Sequence, residues 1–396
     1  MAEFSEIKNI TVLGAGAMGY GIAQVALMAG YSVTIVDIEE KIVNKGVLKI
    51  EQGLEKAQLK GKLKEGVSIS NIMLKCKTST DLSSAVKGSD FVFEAIVEKL
   101  EVKKQVCNVV MENALPHCIF ASNTSTFRIT DIAKDSNRPE NVIGMHFFFP
   151  VVLQCCVEVM KGEESSNKAL DIGVEIGKNL PCLKGERLTV RIEKESPGFI
   201  ANRLLIPPNI YLSWIFDKAF ERGIPWEQID ADAEARKLTP MGPCELMDYL
   251  GVDTTYNSMK SYQRIFSKDF APGKVLTNLV ETGHLGRKSG QGFYDWTRGK
   301  AEINLDKKAG VLNPEMIMAI MLNEGCKLLE EKIVSGYKII DDVMLAGTSM
   351  SGPFSPGKRN YEKWSGMLED FVEKSNKKFL EPCDLMKSGG FIDKRK

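Results

Sequence analysis

The sequence lacks several features that would assign it to a specialised class of protein. Its 52 basic and 52 acidic residues cancel, so no general electrostatic attraction favours nucleic acid or an anionic membrane. The first nine residues, MAEFSEIKN, contain neither the apolar core of a secretory signal nor the arginine-rich pattern of a transit peptide. The most apolar long stretch, residues 199–216, is broken by polar residues and two prolines, which makes it a poor membrane span. We therefore expect a cytoplasmic protein with no nucleic-acid or membrane partner.

Cysteine motifs are missing too, and histidine is rare. The nine cysteines form no CxxC pair and no metal-ligand spacing, and the adjacent Cys155 and Cys156 cannot easily bridge to each other. This distribution favours a reducing cytosol and predicts no metal site. Only three histidines occur, at His117, His146 and His284. Any chemistry that needs an imidazole must use one of these three.

The chain is long enough for two or three domains. Its 396 residues are 43% hydrophobic and 26% charged, the balance of a globular enzyme. Strand-like and helical stretches alternate between residues 7 and 194, which predicts a Rossmann-type α/β fold with a doubly wound, mostly parallel sheet. After the helix start at Ser196-Pro197-Gly198, strand signals nearly vanish. We predict an α/β domain at 1–195 and an all-α region divided into domains at 196–300 and 301–396.

The last segment repeats the helical segment before it. The run ERGIPWEQID, which ends at Asp230, precedes MGP at 241–243, while VSGYKIID, which ends at Asp341, precedes SGP at 351–353. The gaps between corresponding parts differ by only one or two residues. The spacing predicts an internal duplication of a helical unit. The alternative is chance similarity between two amphipathic helical pairs.

A dinucleotide-binding pattern occupies the N-terminus. A short apolar strand at 7–13 runs into a GxGxxG turn, a helix follows, and a second strand at 31–36 ends at an acidic residue. In this context the first glycine permits the tight turn, the second lets the backbone approach a pyrophosphate, and the third lets helix and strand pack closely. The phosphates then lie at the positive end of the helix. The predicted cofactor-binding residues of the turn are Gly14, Gly16, Ala17, Met18 and Gly19.

The acidic residue after the second strand selects the cofactor. Asp37 lies 18 residues beyond Gly19, where a carboxylate can accept hydrogen bonds from a ribose 2′-hydroxyl and would repel a 2′-phosphate. Ile38 supplies no compensating positive charge. The pattern therefore favours NAD over NADP, with FAD as an alternative that shares the same fingerprint.

One histidine is placed for catalysis. Oxidation of an alcohol needs a base for the hydroxyl proton, and histidine suits that task near neutral pH. His146 follows the strand-like VIGM, and ligands of open α/β sheets bind at the carboxyl ends of strands. Twelve residues later Glu158 stands in the apolar run CCVEVM, where an unpaired carboxylate would be costly. We expect the two side chains to pair as base and orienting carboxylate.

Ordered motifs along residues 7–296 extend this interpretation. They are GAGAMGYGIAQVAL, FVFEAIVEKLEVKK, ASNTSTFRIT, GMHFFFPV with VEVM, ESPGFIANRLL, MGPCELMDYLGVDT and GRKSGQGFYDW. Together they resemble the L-3-hydroxyacyl-CoA dehydrogenases of fatty acid metabolism. Residues 310–353 resemble a second copy of that family's helical domain, as in its tandem members.

The resemblance implies a reaction and the residue that acts as its base. His146 would remove the proton of the 3-hydroxyl of an acyl-CoA while C3 gives hydride to NAD, and Glu158 would orient the imidazole. Ser125 and Asn202 would hydrogen-bond the reacting oxygen or the acyl carbonyl of the substrate. A short acyl group such as 3-hydroxybutyryl is the expected substrate.

The resemblance also implies cofactor and CoA contacts. Glu98, Lys103 and Ser125 would lie at the nicotinamide end of NAD. Lys288, in GRKSG, matches a further NAD-contacting position, and Lys60 matches a position that touches CoA.

Two positions depart from the family pattern. Phe149 stands where the family's HFFNP motif has an asparagine, so a phenyl ring replaces an amide expected near the cofactor. Gly53 stands where the family has a CoA-contacting serine. Neither change removes a group that transfers a proton.

Other functions and assemblies remain open from the sequence. The cofactor pattern alone also suits a dehydrogenase of a free 3-hydroxy acid or sugar, and Phe149 is compatible with a non-catalytic NAD-binding protein on the same scaffold. Single-copy members of the resembled family dimerise through the helical domain. A second copy in one chain is therefore expected to give either a monomer with an internal pseudo-dimer or a homodimer.

Overall fold

The chain forms two compact units in the computed structural model, which describes residues 3–63, 66–234 and 241–396. The first unit comprises Met1–Phe199 and Asp342–Ser349, and the second comprises Ile200–Asp341 and Met350–Lys396. The first unit therefore extends past the predicted boundary at 195 and takes in a short segment from the C-terminal part of the chain.

The first unit is built on one sheet of eight strands within the described residues. The strands are β1 Asn9–Leu13, β2 Ser32–Val36, β3 Cys76–Ser79, β4 Phe91–Glu94, β5 Ile119–Ser122, β6 Val142–Phe147, β7 Cys156–Lys161 and β8 Leu188–Ile192. The helices are α1 Ala17–Ala29, α2 Glu40–Leu59, α3 Ile69–Met73, α4 Leu82–Ala85, α5 Leu100–Asn113, α6 Ile129–Ala133 and α7 Asn167–Asn179, with 3-10 turns at Phe4–Glu6 and Pro139–Asn141.

The sheet has the doubly wound topology that the sequence predicts. Its order is β3-β2-β1-β4-β5-β6-β7-β8, and all neighbouring strands are parallel except β6 and β7, which are antiparallel. Every residue of β4, β5 and β6 is buried, as expected for strands covered by helices on both faces. The parallel order places the carboxyl ends of β1, β4, β5 and β6 along one edge, where the predicted site residues follow.

Helices are the regular secondary structure of the second unit within its described residues, apart from isolated bridges of Gln291 with Gly286 and Asp295, which confirms the predicted all-α C-terminal region. Its helices are α8 Ala201–Leu205, α9 Pro208–Glu221, α10 Trp226–Glu234, α11 Pro243–Leu250, α12 Val252–Ile265, α13 Lys274–Glu281, α14 Pro314–Glu330, α15 Tyr337–Thr348, α16 Phe354–Ser375 and α17 Asp384–Lys387, with 3-10 turns at Lys268–Phe270 and Lys378–Leu380. The last part of α15 belongs to the first unit. Among the described residues, no helix combines the length and apolarity needed to cross a bilayer.

The two segments of the predicted duplication contain similar caps at a helix start. Asp230 accepts hydrogen bonds from the backbone N–H groups of Cys244 and Glu245 at the start of α11, and Asp341 accepts one from Phe354 at the start of α16. In each repeat a glycine precedes the helix, and a Cβ atom there would overlap the aspartate. Burial raises the pKa of Asp230 to about 6. A carboxylate at a helix N-terminus therefore performs the same task in both repeats.

A disulfide joins two residues of the first unit that the sequence did not pair. Cys155 and Cys182 are bonded, with their Cα atoms 5.6 Å apart and a sequence separation of 27. The other seven cysteines are free thiols. The bond ties the segment before β7 to the segment before β8.

Candidate active site

The glycine-rich turn joins β1 to α1 with almost no space for side chains at its two ends. Gly14 has a φ of +94°, and a Cβ atom there would overlap the carbonyl oxygen of Ala95. At Gly19 a Cβ atom would overlap the carbonyl oxygen of Gly14. Only glycine permits this contact between the first turn of α1 and the end of β1.

The middle of the same turn is open and matches a dinucleotide. Gly16 caps α1, and a Cβ atom built on it would meet nothing within 4 Å. The open surface thus lies against the N-terminus of α1, whose unpaired N–H groups attract phosphate. Asp37 accepts a hydrogen bond from the Ala15 backbone at 2.7 Å, which holds its carboxylate beside the turn. The described residues therefore fit the pyrophosphate and adenine ribose of NAD.

His146 and Glu158 form the buried pair that the sequence predicts. They occupy opposed positions on β6 and β7, and Nδ1 of His146 lies 2.7 Å from Oε2 of Glu158. Glu158 is fully buried, and His146 is 7% exposed. The carboxylate therefore directs the Nδ1 side of the imidazole and can stabilise its protonated form.

Two phenyl rings contact the imidazole. Phe199 stacks on it with ring centroids 5.1 Å apart and an interplanar angle of 27°, and Phe148 meets it edge-on at 4.9 Å. Phe199 is buried and has a φ of +54°, a strained conformation for a residue with a large side chain. The backbone thus holds Phe199 against His146 at a cost in local conformation.

Glu98 organises the turn that carries Ser125. Its Oε1 accepts hydrogen bonds from the hydroxyl of Thr124 at 2.6 Å, the backbone N–H of Ser125 at 3.0 Å and the hydroxyl of Thr126 at 3.0 Å. The Ser125 hydroxyl lies 3.5 Å from the same oxygen. One carboxylate oxygen therefore fixes the conformation of three consecutive residues after β5.

Lys103 lies between two carboxylates beneath this turn. Its Nζ is 2.7 Å from Glu94 and 3.1 Å from Glu98, and its side chain is 1% exposed. Burial lowers the pKa of Lys103, but the charges of Glu94 and Glu98 raise it by a larger amount. The pKa of Lys103 therefore lies above its ordinary value. Partial burial raises the pKa of Glu98, yet the charge of Lys103 and the hydrogen bond from Thr124 bring it below its ordinary value. Lys103 therefore acts on the turn through Glu98.

A side-chain amide connects the Ser125 turn to the end of β6. Oδ1 of Asn123 accepts a hydrogen bond from the backbone N–H of Phe147 at 2.9 Å. The structure thus brings together Gly14, Gly16, Gly19, Asp37, Glu98, Lys103, Ser125, His146 and Glu158 in one unit, around the carboxyl ends of its central strands.

The remaining predicted site residues lie elsewhere in the chain. Asn202 lies on α8 of the second unit. Lys288, also in the second unit, forms an ion pair with Asp253 at 2.6 Å. Lys60 is exposed at the C-terminal end of α2. Their contacts with cofactor and substrate stay predictions.

The two departures from the family pattern differ in their surroundings. Phe149 is 59% exposed, so its ring faces solvent. At Gly53 a Cβ atom would overlap the side chain of Gln24, which is 2% exposed. Position 53 therefore packs against α1, and a larger residue would require Gln24 to move.

Sequence reasoning missed two residues that shape the site. Glu94, which holds Lys103, ends the apolar run FVFE, and an acid at the end of a fully buried strand is the signal that could have identified it. Phe199 offered no such signal, because its contact with His146 depends on its positive φ.

Comparison with protein families supports this arrangement. Residues 9–187 match the model described as 3-hydroxyacyl-CoA dehydrogenase, NAD binding domain. Residues 198–296 match the model described as 3-hydroxyacyl-CoA dehydrogenase, C-terminal domain. Together the two matches cover more than half of the chain.

Individual proteins show the same likeness. The mitochondrial hydroxyacyl-coenzyme A dehydrogenase of Sus scrofa is 39% identical over 298 residues, which cover 73% of this chain and 91% of that protein. A probable 3-hydroxybutyryl-CoA dehydrogenase of Bacillus subtilis is 34% identical over 74% of this chain and 98% of that protein. The crystal structure of 3-hydroxybutyryl-CoA dehydrogenase from Escherichia coli K12 matches 98% of this chain and 99% of that one, with 25% identity and a TM-score of 0.81.

The family matches coincide with both the glycine turn that fits NAD and the strands that carry His146 and Glu158. The chain belongs to the NAD-dependent 3-hydroxyacyl-CoA dehydrogenase family.

Proposed function

We propose that the protein catalyses the reversible, NAD-dependent oxidation of an (S)-3-hydroxyacyl-CoA to the 3-ketoacyl-CoA. The observation that carries this proposal is the buried pair of His146 and Glu158, 2.7 Å apart, at the carboxyl end of a strand in an NAD-binding sheet. A base that is already oriented by a carboxylate is what removal of a hydroxyl proton requires.

The proton transfer uses the two nitrogens of His146 differently. Nδ1 is hydrogen-bonded to Glu158, and Nε2 takes the proton of the 3-hydroxyl. As that O–H bond breaks, its electron pair forms the carbonyl π bond and the hydrogen on C3 leaves with the C–H electron pair. Bound NAD would supply the acceptor for this hydride. Glu158 balances the positive charge that His146 acquires. In the reverse direction His146 returns the proton to the carbonyl oxygen.

Other side chains orient the substrate and the cofactor. Ser125 and Asn202 hydrogen-bond the reacting oxygen or the acyl carbonyl. Glu98 supports Ser125 and, with Lys103 behind it, lies at the nicotinamide end of NAD. Support for the roles of Ser125, Glu98 and Lys103 comes from the hydrogen bonds that hold the turn after β5. The role of Asn202 rests on the resemblance of its motif.

The remaining cofactor contacts are assigned to separate parts of NAD. Gly14, Gly16, Ala17, Met18 and Gly19 bind the pyrophosphate, Asp37 binds the adenine ribose, and Lys288 contacts NAD.

The proposed substrate is a short acyl group on CoA. Relatives in Bacillus subtilis and Escherichia coli are named 3-hydroxybutyryl-CoA dehydrogenases, and Lys60 is exposed, as a residue that contacts CoA must be. Gly53, where the family pattern has a CoA-contacting serine, packs against Gln24 instead and offers CoA no hydroxyl.

An absorbance assay for NADH tests the function directly. We expect rapid oxidation of NADH with acetoacetyl-CoA, slower oxidation with long-chain 3-ketoacyl-CoA esters, and a rate at least a hundredfold lower with acetoacetate. Equal rates with acetoacetate would assign the enzyme to free 3-hydroxy acids instead. No turnover with either, together with tight NADH binding, would assign a non-catalytic role.

The repeated helical unit supports a proposal about assembly. The second copy, within 301–396, covers from within the chain the face through which single-copy relatives dimerise, so that the protein is a monomer. The matching aspartate caps at Asp230 and Asp341 support the duplication. Sedimentation equilibrium at the monomer mass of 43.9 kDa is expected, and a dimer would contradict it.

A cytoplasmic location is the remaining part of the proposal. Seven of the nine cysteines are free thiols, as expected in a reducing compartment, whereas the bond between Cys155 and Cys182 is of a kind that is rare there. Fractionation of cells that express the protein at its native level tests this location, and recovery with mitochondria would contradict it.

A further inference from the structure

The last two turns of α15 pack against the loop that follows the catalytic strand. Asp342–Ser349 group with the first unit. The backbone N–H of Cys155 donates a hydrogen bond to the carbonyl oxygen of Ala346 at 3.0 Å, and the hydroxyl of Ser349 lies 3.5 Å from Oε1 of Gln154. Neither family match, the later of which ends at residue 296, includes this helix.

A glycine of this helix makes direct contact with the aromatic ring next to His146. A Cβ atom at Gly347 would lie 2.8 Å from both Cε1 and Cζ of Phe148, closer than side-chain carbons approach each other. Phe148 is 7% exposed, so its ring has little open space into which it could move. Gly347 is the penultimate residue of α15, and its lack of a side chain leaves room for the ring to lie against the helix backbone.

The same ring touches the imidazole. The centroids of Phe148 and His146 are 4.9 Å apart, while Phe199 stacks on the imidazole at 5.1 Å. In a close-packed interior, displacement of one ring is transmitted to the next. Consecutive contacts thus connect Gly347 of α15 to Phe148, and Phe148 to His146.

We propose that Gly347 is a positioning residue for the dehydrogenase reaction. By admitting the ring of Phe148, it holds the imidazole of His146 in the orientation that Glu158 and the substrate require. This inference rests on the proposed function, because it needs His146 as the base. Gly347 itself touches no reacting atom.

The position of the ring affects turnover more than binding. Loss of alignment between a base and its proton lowers the rate steeply, since a misplacement of about 1 Å can cost about 10²-fold. The glycine turn and Asp37, which hold the cofactor, are separate from Phe148 along the sheet edge. A shifted ring therefore lowers kcat and leaves NADH binding unchanged.

The test compares Gly347→Ala with Gly366→Ala. Gly366 lies inside α16, and a Cβ atom there would meet nothing within 4 Å. With acetoacetyl-CoA and NADH, we expect Gly347→Ala to lower kcat roughly tenfold and to enlarge the solvent deuterium isotope effect on kcat, as proton transfer becomes limiting. The KM for acetoacetyl-CoA and the Kd for NADH should change less than twofold. Gly366→Ala should match the wild type.

A second substitution separates positioning from folding. Combining Gly347→Ala with Phe148→Leu gives the new methyl group room, so kcat of the double variant should exceed that of Gly347→Ala. If Gly347→Ala does not fold, Phe148→Leu alone serves: a lower kcat with unchanged NADH binding supports the proposal, and an unchanged kcat overturns it. Wild-type kcat in Gly347→Ala, or parallel losses of kcat and NADH binding, would also overturn it. An inactive wild type would instead refute the proposed function.

Discussion

His146 and Glu158 are direct cross-strand partners in the antiparallel pair of β6 and β7. Opposed residues in such a pair are among the closest side-chain neighbours in a sheet. The 2.7 Å contact between imidazole and carboxylate is therefore set by backbone register. A shift of one residue in this register would turn one of the two side chains to the other face of the sheet.

Replacing the base tests the assignment of His146. We expect His146→Gln to lower kcat for acetoacetyl-CoA by about 10³-fold or more, because both proton transfer and the stabilised imidazolium are lost. NADH binding, measured by fluorescence titration, should stay within twofold. His284→Gln is the matched control and should behave as wild type. Near-normal turnover in His146→Gln would contradict the assignment of His146 as the base.

Removing the charge of Glu158 tests whether it acts through the histidine. Glu158→Gln should lower kcat by about 10²-fold or more, since a neutral amide supports the imidazolium poorly. The variant that combines it with His146→Gln should be no slower than His146→Gln alone, because residues that act as a unit are non-additive. Additive losses in this double-mutant cycle would show that Glu158 has an independent role.

Cofactor choice depends on Asp37. The wild type should prefer NADH over NADPH by at least about a hundredfold in kcat/KM, because the carboxylate repels a 2′-phosphate. Asp37→Asn should narrow this preference at least tenfold, mainly through a lower KM for NADPH. Steady-state kinetics with both cofactors measure the change, and an unaltered ratio would remove Asp37 from the ribose site.

Lys103 is expected to matter for stability. Lys103→Met leaves Glu94 buried without its ion-pair partner, which should cost about 3 to 5 kcal/mol at pH 7. Lys104→Met is the control, because Lys104 pairs with the exposed Asp135. Urea denaturation gives both free energies of unfolding. Equal losses in the two variants would contradict the special role of Lys103.

The pH dependence of that loss follows from the shifted pKa values. The pKa of Glu98 lies below its ordinary 4.5, so its contribution to stability is present above about pH 4.5 and is lost as the pH falls through the folded-state value. The pKa of Lys103 lies above 10.5, so its contribution is lost only as the pH rises through that higher value. The difference between wild type and Lys103→Met should therefore be largest between these limits and should narrow in acid.

The disulfide provides a prediction about redox state. The bond between Cys155 and Cys182, whose sequence separation is 27, should contribute about 2 to 4 kcal/mol to stability when oxidised. Dithiothreitol and Cys182→Ser should lower the Tm to the same extent, and Cys76→Ser should not. Because most of the free cysteines are buried, thiol titration of the denatured protein distinguishes the two states, with seven free thiols when the bond is present and nine after reduction. Nine thiols in protein purified without reductant would contradict the bond.

Much of the fold and the site is local in sequence and could be predicted. The turn from Gly14 to Gly19 and the strand before it are contiguous, and parallel topology places the carboxyl ends of strands together. His146 and Glu158 were pairable because each is a polar residue in an apolar strand. These inferences need only periodicity and the cost of burying an unpaired charge.

Other features depend on contacts in the folded chain that hydrophobic periodicity does not predict. The edge strand β3 has the sequence CKTS and none of its residues is buried, so no apolar pattern marks it. The position of Lys103 between Glu94 and Glu98 requires the three-dimensional approach of β4 and α5. The bond from Cys155 to Cys182 links two segments, and the number of residues between them does not indicate how close they lie in space.

The division of α15 between the two units has a consequence for synthesis. At translation rates of about 5 to 20 residues per second, the ribosome finishes Phe199 roughly 7 to 30 s before it completes Asp342–Ser349. During that interval the nascent chain already contains the glycine turn, His146 and Glu158, but not the helix end that contacts Phe148. The first unit is therefore completed only late in synthesis. A chain ending at residue 296 would carry every motif of the NAD-binding domain but would lack the part of this unit formed by Asp342–Ser349.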